Sequence, residues 1–220
     1  MMLHGYLASK ETFTAQIAYF SKFYKVTAID FLGFGKSAKL ESPFSVGDYA
    51  DWTREVLSAL GIEKPKVIAH SFGCRVAVKM AKQDPDAFDK IILTGPAGVI
   101  LPRGLKYKWR VWWYRFVKKF APRFAERRFG SAEYRTLSPV MKESYKKIVN
   151  EDLRADAREV KSPVLIVEGR EDTVTTLKEA EEYLRCFQKG ELKIMEGGHF
   201  AFLEYPLVFN LLAEEFFSYD

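Results

Sequence analysis

Short apolar runs and helical patterns alternate along most of the chain. Six runs rich in β-branched and aliphatic residues have the length of strands buried on both faces, and they cover residues 1–4, 24–30, 66–70, 90–94, 164–168 and 191–195. Between them, apolar residues recur at spacings of three and four, which predicts helices over residues 11–20, 48–60, 72–83, 177–187 and 206–217. The alternation predicts an α/β fold whose mostly parallel, doubly wound sheet has about six strands.

The alternation stops after Thr94, and no strand pattern returns until Val164. This insertion is longer than an ordinary loop, so we expect it to form structure of its own. Aromatic and basic residues recur at helical spacing within it, which predicts helices over residues 105–120 and 138–150. We therefore expect a core of residues 1–98 and 160–220 and a helical cap of residues 99–159.

Composition points to a single soluble domain. The chain has 220 residues, of which 48% are hydrophobic and 29% charged, which suits one continuous core. It shows neither a charged-then-apolar leader nor the run of about 20 apolar residues that a membrane span needs. Cys74 and Cys186 lie far apart without a partner motif, as expected for buried thiols in a reducing compartment. We therefore expect a cytoplasmic protein.

The formal net charge of +5 is concentrated in the insertion. Residues 103–130 contain ten basic side chains and one acidic side chain, Glu126. Such a cluster raises nucleic-acid binding as an alternative function, but no nucleic-acid recognition motif accompanies it, and we expect no such partner. The charges are either the solvated face of a cap or an attraction for an anionic substrate or an anionic lipid surface.

One serine lies where a buried strand runs straight into a helix. Ser71 follows the strand that ends at His70, and small residues occupy the positions two before and two after it, Ala69 and Gly73. A serine on a sharp strand-to-helix turn needs small neighbours, and the helix amides can stabilise negative charge beside it. The alternative interpretation is an ordinary helix-capping serine.

A nucleophilic serine needs a base and an acid that orients the base. Of the three histidines, His199 lies on a glycine-rich loop after the last predicted strand, whereas we expect His4 to make a structural hydrogen bond. Asp172 follows the strand over residues 164–168, with Glu171 and Glu168 as competing candidates for the acid.

Five motifs, taken together and in this order, resemble the α/β-hydrolase superfamily over nearly the whole chain. They are His-Gly at residues 4–5, Asp-x-x-Gly-x-Gly-x-Ser at 30–37, the serine turn at 69–73, Gly-x-x-Asp at 169–172 and Gly-Gly-His-Phe at 197–200. Two departures are clear. Alanine stands at residue 69, where the family usually has glycine, and the strand before His4 begins at Met1, so the family's first two strands are missing. Either this is a trimmed variant or the true start lies upstream; in a trimmed variant the exposed edge strand is a candidate homodimer surface.

The resemblance implies a serine esterase or lipase that acts on a small acyl substrate without a metal or cofactor. Ser71 would be the nucleophile, His199 the base and Asp172 the acid, and the amides of Tyr6 and Phe72 would form the oxyanion hole. Esters of medium-sized apolar acids fit an aromatic cap, in which the expected pocket residues are Trp109, Trp112, Trp113 and Phe116. Thioesters, amides and carbon–carbon bonds are alternative targets, and a non-catalytic ligand-binding or scaffold protein is the alternative from another class.

Overall fold

The computed structural model describes residues 1–101 and 136–218. Six strands form one sheet: β1 (Met2–Leu3), β2 (Ala28–Ile29), β3 (Val67–His70), β4 (Ile91–Thr94), β5 (Val164–Gly169) and β6 (Gly190–Met195). They lie in the order β2-β1-β3-β4-β5-β6, and every neighbouring pair is parallel. The predicted α/β sheet of six strands is therefore confirmed, with all of its described pairs parallel.

Helices connect the strands and cover both faces of the sheet. The described α-helices are α1 (Thr14–Phe20), α2 (Val46–Ala59), α3 (Phe72–Gln83), α4 (Pro139–Val149), α5 (Arg154–Ala157), α6 (Leu177–Leu184), α7 (Ala201–Glu204) and α8 (Pro206–Ser218), and a 3₁₀ helix spans Lys10–Phe13. Within the described ranges, no helix is both long enough and apolar enough to cross a bilayer.

The apolar side chains of the central strands alternate between two cores, because successive residues of a strand point to opposite faces. In β4, Ile91 and Leu93 belong to the larger core, which α2, α3 and α6 cover. Ile92 belongs to the second core, which α1, α7 and α8 cover. Burial on both faces explains why these strands read as continuous apolar runs in the sequence.

Several predicted elements are longer than the observed ones, and two of them have a visible cause. The strand predicted over residues 24–30 is reduced to Ala28–Ile29, because β2 pairs only with β1 and β1 contributes two residues to the register. The helix predicted over residues 177–187 ends at Leu184. After that residue, the amides of Cys186 and Phe187 donate to carbonyls three residues earlier. This is the 3₁₀ pattern of hydrogen bonds and not the α-helical one, which uses carbonyls four residues earlier.

The described part of the predicted cap lies against the core. Helix α4 begins after Ser138, whose hydroxyl accepts a hydrogen bond from the amide of Met141 at 3.2 Å. At the same helix, the Tyr6 hydroxyl donates to the carbonyl of Met141 at 3.0 Å. The helix predicted over residues 138–150 is thus present, while the helix over residues 105–120 lies outside the described residues. The boundaries of the cap at residues 99 and 159 stay a prediction.

Candidate active site

Ser71 occupies a sharp turn between β3 and α3. Its backbone has φ 49° and ψ −106°, a conformation that a residue with a side chain adopts only at an energetic cost. A Cβ at Gly73 would lie 2.2 Å from the carbonyl oxygen of Leu3 in β1, so only glycine fits there. Ala69 is fully buried and meets the need for a small residue two positions before the serine. The turn therefore has the shape that the sequence motif predicts.

His199 and Asp172 meet at the carboxyl edge of the sheet. Nδ1 of His199 lies 2.7 Å from Oδ2 of Asp172. Since a carboxylate accepts hydrogen bonds, Nδ1 donates to Asp172, and Nε2 is the ring nitrogen that can accept a proton. Asp172 is buried, and His199 lines the same cavity as Ser71.

The carboxylate of Asp172 is held from several sides. Its Oδ1 accepts from the amides of Val174 and Thr175 at 2.7 and 2.9 Å, and its Oδ2 accepts from the Thr175 hydroxyl at 2.9 Å. Burial by itself would raise the pKa of Asp172, but the hydrogen bonds from His199 and Thr175 outweigh it and lower the pKa to about 2. The carboxylate is therefore ionised throughout the neutral range.

The two competing acids are not bonded to the histidine. Glu171 is exposed. Glu168 is fully buried on β5, and neither of its carboxylate oxygens has a hydrogen-bond partner within the described ranges. Burial and the neighbouring charge of Asp172 raise the pKa of Glu168 to about 9, so this carboxyl is neutral at pH 7.

Ser71 and His199 line one cavity of about 570 Å³. Tyr6 and Phe72, the expected oxyanion donors, line it as well. Phe72 is the first residue of α3, where the backbone amides have no carbonyl partner one turn earlier in the helix. Helix α4 and the loop before it add a mostly apolar wall to the cavity, formed by Leu137, Tyr145, Ile148 and Val149.

The other two histidines are buried, and both form hydrogen bonds with backbone groups. Nε2 of His4 accepts the amide of Phe31 at 3.1 Å, while Nδ1 lies 2.7 Å from the carbonyl of Gly5 and donates to it. This is the structural hydrogen bonding expected for His4. His70 bonds the carbonyl of His199 at 3.0 Å, and the two rings lie 4.8 Å apart. Burial, followed by the proximity of His199, lowers the pKa of His70 to about 3, so its ring is neutral.

Two residues at this site escaped the sequence analysis: Thr175 and Arg75. Thr175 bonds Asp172 and lies with its hydroxyl 3.2 Å from Nδ1 of His199. Arg75 lines the cavity one helical turn after Ser71. The available signals were positional, namely a hydroxyl three residues after Asp172 and a basic side chain four residues after Ser71.

The expected pocket residues Trp109, Trp112, Trp113 and Phe116 lie outside the described residues. Their contribution stays a prediction, as do contact of the basic cap with anionic lipid, the absence of a nucleic-acid partner and the homodimer. Within residues 1–101 and 136–218, no group of three or more His, Cys, Asp or Glu side chains is arranged to hold a metal ion.

Comparison with known proteins places this geometry in a family. Residues 1–141 match the family described as alpha/beta hydrolase fold. An uncharacterized protein of Mycobacterium tuberculosis is 35% identical over 99 residues, which are 45% of this chain and 29% of that protein. The chain thus matches less than a third of the length of that mycobacterial relative.

Two further proteins resemble more of the chain. The 2-hydroxymuconate semialdehyde hydrolase of Pseudomonas putida is 26% identical over 220 aligned positions, covering 88% of this chain and 77% of that protein. The structure of an esterase from Exiguobacterium antarcticum superposes with a TM-score of 0.77 at 21% identity, covering 98% of this chain and 90% of that one. The match to residues 1–141, together with the all-parallel sheet and the serine turn, shows that this chain belongs to the alpha/beta hydrolase fold family.

Proposed function

We propose that the protein is a serine hydrolase that cleaves carboxylic esters through an acyl-enzyme intermediate. The observation that carries the proposal is the hydrogen bond of 2.7 Å between His199 and Asp172, at a cavity that also contains Ser71 on its strained turn. A nucleophile, an oriented base and an ionised acid are the three parts that acyl transfer by serine requires.

In the first half of the reaction, Oγ of Ser71 attacks the ester carbonyl carbon as its proton passes to Nε2 of His199. Asp172 stabilises the imidazolium that forms, and the amides of Tyr6 and Phe72 donate to the developing oxyanion. When the tetrahedral intermediate collapses, the bond to the alcohol breaks and His199 returns the proton to that alcohol. Water then attacks the acyl-enzyme by the same route, which releases the acid and restores Ser71.

The lining of the cavity favours a substrate whose acyl group is at least partly apolar. Its wall from the cap is formed by Leu137, Tyr145, Ile148 and Val149, and Val99 and Ile100 line it as well. Apolar surface of this kind binds alkyl chains by excluding water. We therefore propose esters of medium-sized acids as the substrate class.

The proposal is tested with a series of p-nitrophenyl esters of increasing acyl length and a fluorophosphonate probe. We expect Ser71→Ala to lose probe labelling and at least about 1,000-fold in kcat/KM, because the residue that forms the covalent intermediate is gone. Ser58→Ala, on the exposed side of α2, is the matched control and should behave as wild type. Labelling or turnover that survives in Ser71→Ala would overturn the proposal.

Carbon–carbon bond hydrolysis is the second candidate, favoured by the Pseudomonas putida relative that aligns with most of the chain. 2-Hydroxymuconate semialdehyde, the compound in that relative's name, is the direct test substrate. Turnover of this compound with a kcat/KM well above that of every ester would assign the same serine site to carbon–carbon cleavage. Slower turnover than the best ester would leave ester hydrolysis as the function.

A further inference from the structure

Arg75 places a buried guanidinium at the wall of the active-site cavity. It lies on α3 and is only 6% exposed, yet it is among the residues that line the cavity together with Ser71 and His199. Ser71 lies on the turn immediately before this helix, four residues earlier in the chain, and both residues line the same cavity. A cation is therefore exposed to the same cavity as the proposed nucleophile.

The guanidinium is only partly engaged by the protein. Its Nη1 donates to the carbonyl oxygen of Glu151 at 2.6 Å. That is one bond for a group with five N–H donors, and no carboxylate of residues 1–101 or 136–218 forms an ion pair with Arg75. Most of its donor capacity is left for another partner.

The acidic residues nearest to Arg75 already hold other cations. The Glu151 carboxylate pairs with Lys79 at 2.6 Å, and the Asp152 carboxylate pairs with Arg154 at 2.8 Å. Both acids still act on Arg75 at longer range. Neither supplies the direct, bidentate contact that a guanidinium makes with a dedicated carboxylate partner.

A cation buried without a paired anion is costly, and a bound anion removes that cost. Burial lowers the pKa of Arg75, but a guanidinium stays protonated in proteins, so the charge persists at neutral pH. Glu179 lines the same cavity, but within the described residues it forms no ion pair with Arg75; its Oε2 accepts hydrogen bonds from the amide and hydroxyl of Thr176 at the start of α6.

We infer that Arg75 binds a carboxylate of the substrate, so that the preferred ester carries a second, free acid group on its acyl chain. This inference rests on the proposed function and narrows its substrate class to half-esters of dicarboxylic acids. The apolar wall of the cavity contacts the carbon chain, while Arg75 receives the carboxylate and Ser71 attacks the ester carbonyl. A purely structural Arg75, needed only to tie α3 to the carbonyl of Glu151, would give no selectivity for substrate charge.

The test compares monoethyl adipate with ethyl hexanoate, which have acyl chains of equal length and differ in the terminal carboxylate. We expect wild type to prefer the adipate half-ester in kcat/KM, and Arg75→Met to lower that preference about tenfold or more, since a charge-assisted contact is lost. Arg75→Lys keeps the charge without the planar fork and should retain part of the preference. Arg54→Met removes an exposed guanidinium of α2 that is not among the cavity-lining residues, and this variant should retain all of the preference.

Calorimetric titration with adipate itself provides a readout that does not depend on turnover. Wild type should bind adipate, and Arg75→Met should bind it about tenfold more weakly or not at all, with the circular dichroism of the two proteins matched. Equal adipate binding, or an unchanged preference between the two esters, would overturn the anion site and leave the proposed ester hydrolysis standing. Arg75-dependent adipate binding by a protein that cleaves no ester would instead support the anion site and overturn the proposed function.

Discussion

Thr175 is a small residue that contacts both the proposed base, His199, and the acid that orients it, Asp172. Its amide and hydroxyl donate to the two oxygens of Asp172, and the hydroxyl lies 3.2 Å from Nδ1 of His199. Within the described residues, Thr175 forms no hydrogen bond with Ser71. We interpret it as a positioning residue that fixes the plane of the carboxylate and, through it, the imidazole.

Replacing Thr175 by valine keeps the shape of the side chain and removes the hydroxyl. We expect kcat to fall about tenfold with KM nearly unchanged, because one buried hydrogen bond that orients the acid is lost. Thr175→Ser restores the hydroxyl and should recover most of the rate. Steady-state kinetics on a p-nitrophenyl ester measures both, and a raised KM at unchanged kcat would contradict a positioning role.

The position of a site residue can be predicted from sequence where the path of the backbone alone determines where its side chain lies. Ser71, Asp172 and His199 each follow the carboxyl end of a parallel strand, and those ends meet along one edge, so their proximity follows from the order of the motifs. Thr175 and Arg75 were missed because their roles depend on the shape of one turn and on the outline of the cavity. Neither property is encoded in a local pattern of residue types.

At the scale of elements, the close contact between α3 and β1 shapes the serine turn. Gly73 lies against the backbone of Leu3, and a Cβ there would be 2.2 Å from the carbonyl oxygen. Backbone atoms cannot rotate away as a flexible side chain does, so the helix itself must shift to admit a methyl group.

We expect Gly73→Ala to lower the free energy of unfolding by about 2–4 kcal/mol and to reduce activity, because the shift moves Ser71. Gly47→Ala in α2 is the matched control, since its Cβ would meet only the Ser45 hydroxyl at 3.6 Å. Urea unfolding should show that variant unchanged or more stable by up to about 1 kcal/mol. Equal stability of the two variants would mean that the helix-to-strand contact does not constrain the turn.

The boundaries of elements were predicted less well than their existence. Helix α2 begins at Val46, two residues before the predicted start, because Ser45 and Asp48 form a capping box across its first turn. The spacing of apolar residues does not predict these hydrogen bonds, so it does not predict where the helix starts. Helix α3, by contrast, runs over Phe72–Gln83 as predicted. The strand before it fixes where the helix starts, and Asp84 marks where it ends.

For the molecule as a whole, Glu168 makes stability depend on pH. Its carboxyl is fully buried in β5, and its pKa is raised to about 9, against about 4.3 in an unfolded chain. The folded state therefore keeps a proton that the unfolded state releases. The stabilising contribution is complete below about pH 4 and is lost as pH rises towards about 9.

We expect Glu168→Gln, which mimics the protonated form, to gain stability relative to wild type as pH increases. Between about pH 7 and pH 8.5 the difference in free energy of unfolding should grow by about 1–2 kcal/mol. Other titrating groups, including Asp172 and His70, cancel in the difference between the two proteins. Urea unfolding across this range measures it, with the exposed Glu55→Gln as the control whose difference stays flat. A gap for Glu168→Gln that does not change with pH would contradict the buried neutral carboxyl.

The candidate site is assembled from two stretches of chain that lie on either side of the predicted cap in sequence. Ser71 and both expected oxyanion donors belong to the first stretch, and the pairing of β4 with β5 joins it to the second stretch, which carries Asp172 and His199. During synthesis the serine therefore emerges long before its base, and it has no partner to activate it until the final strand has been made. On the proposed chemistry, a growing chain that lacks His199 does not hydrolyse esters, and in a refolding chain the return of esterase activity reports that the two stretches have come together.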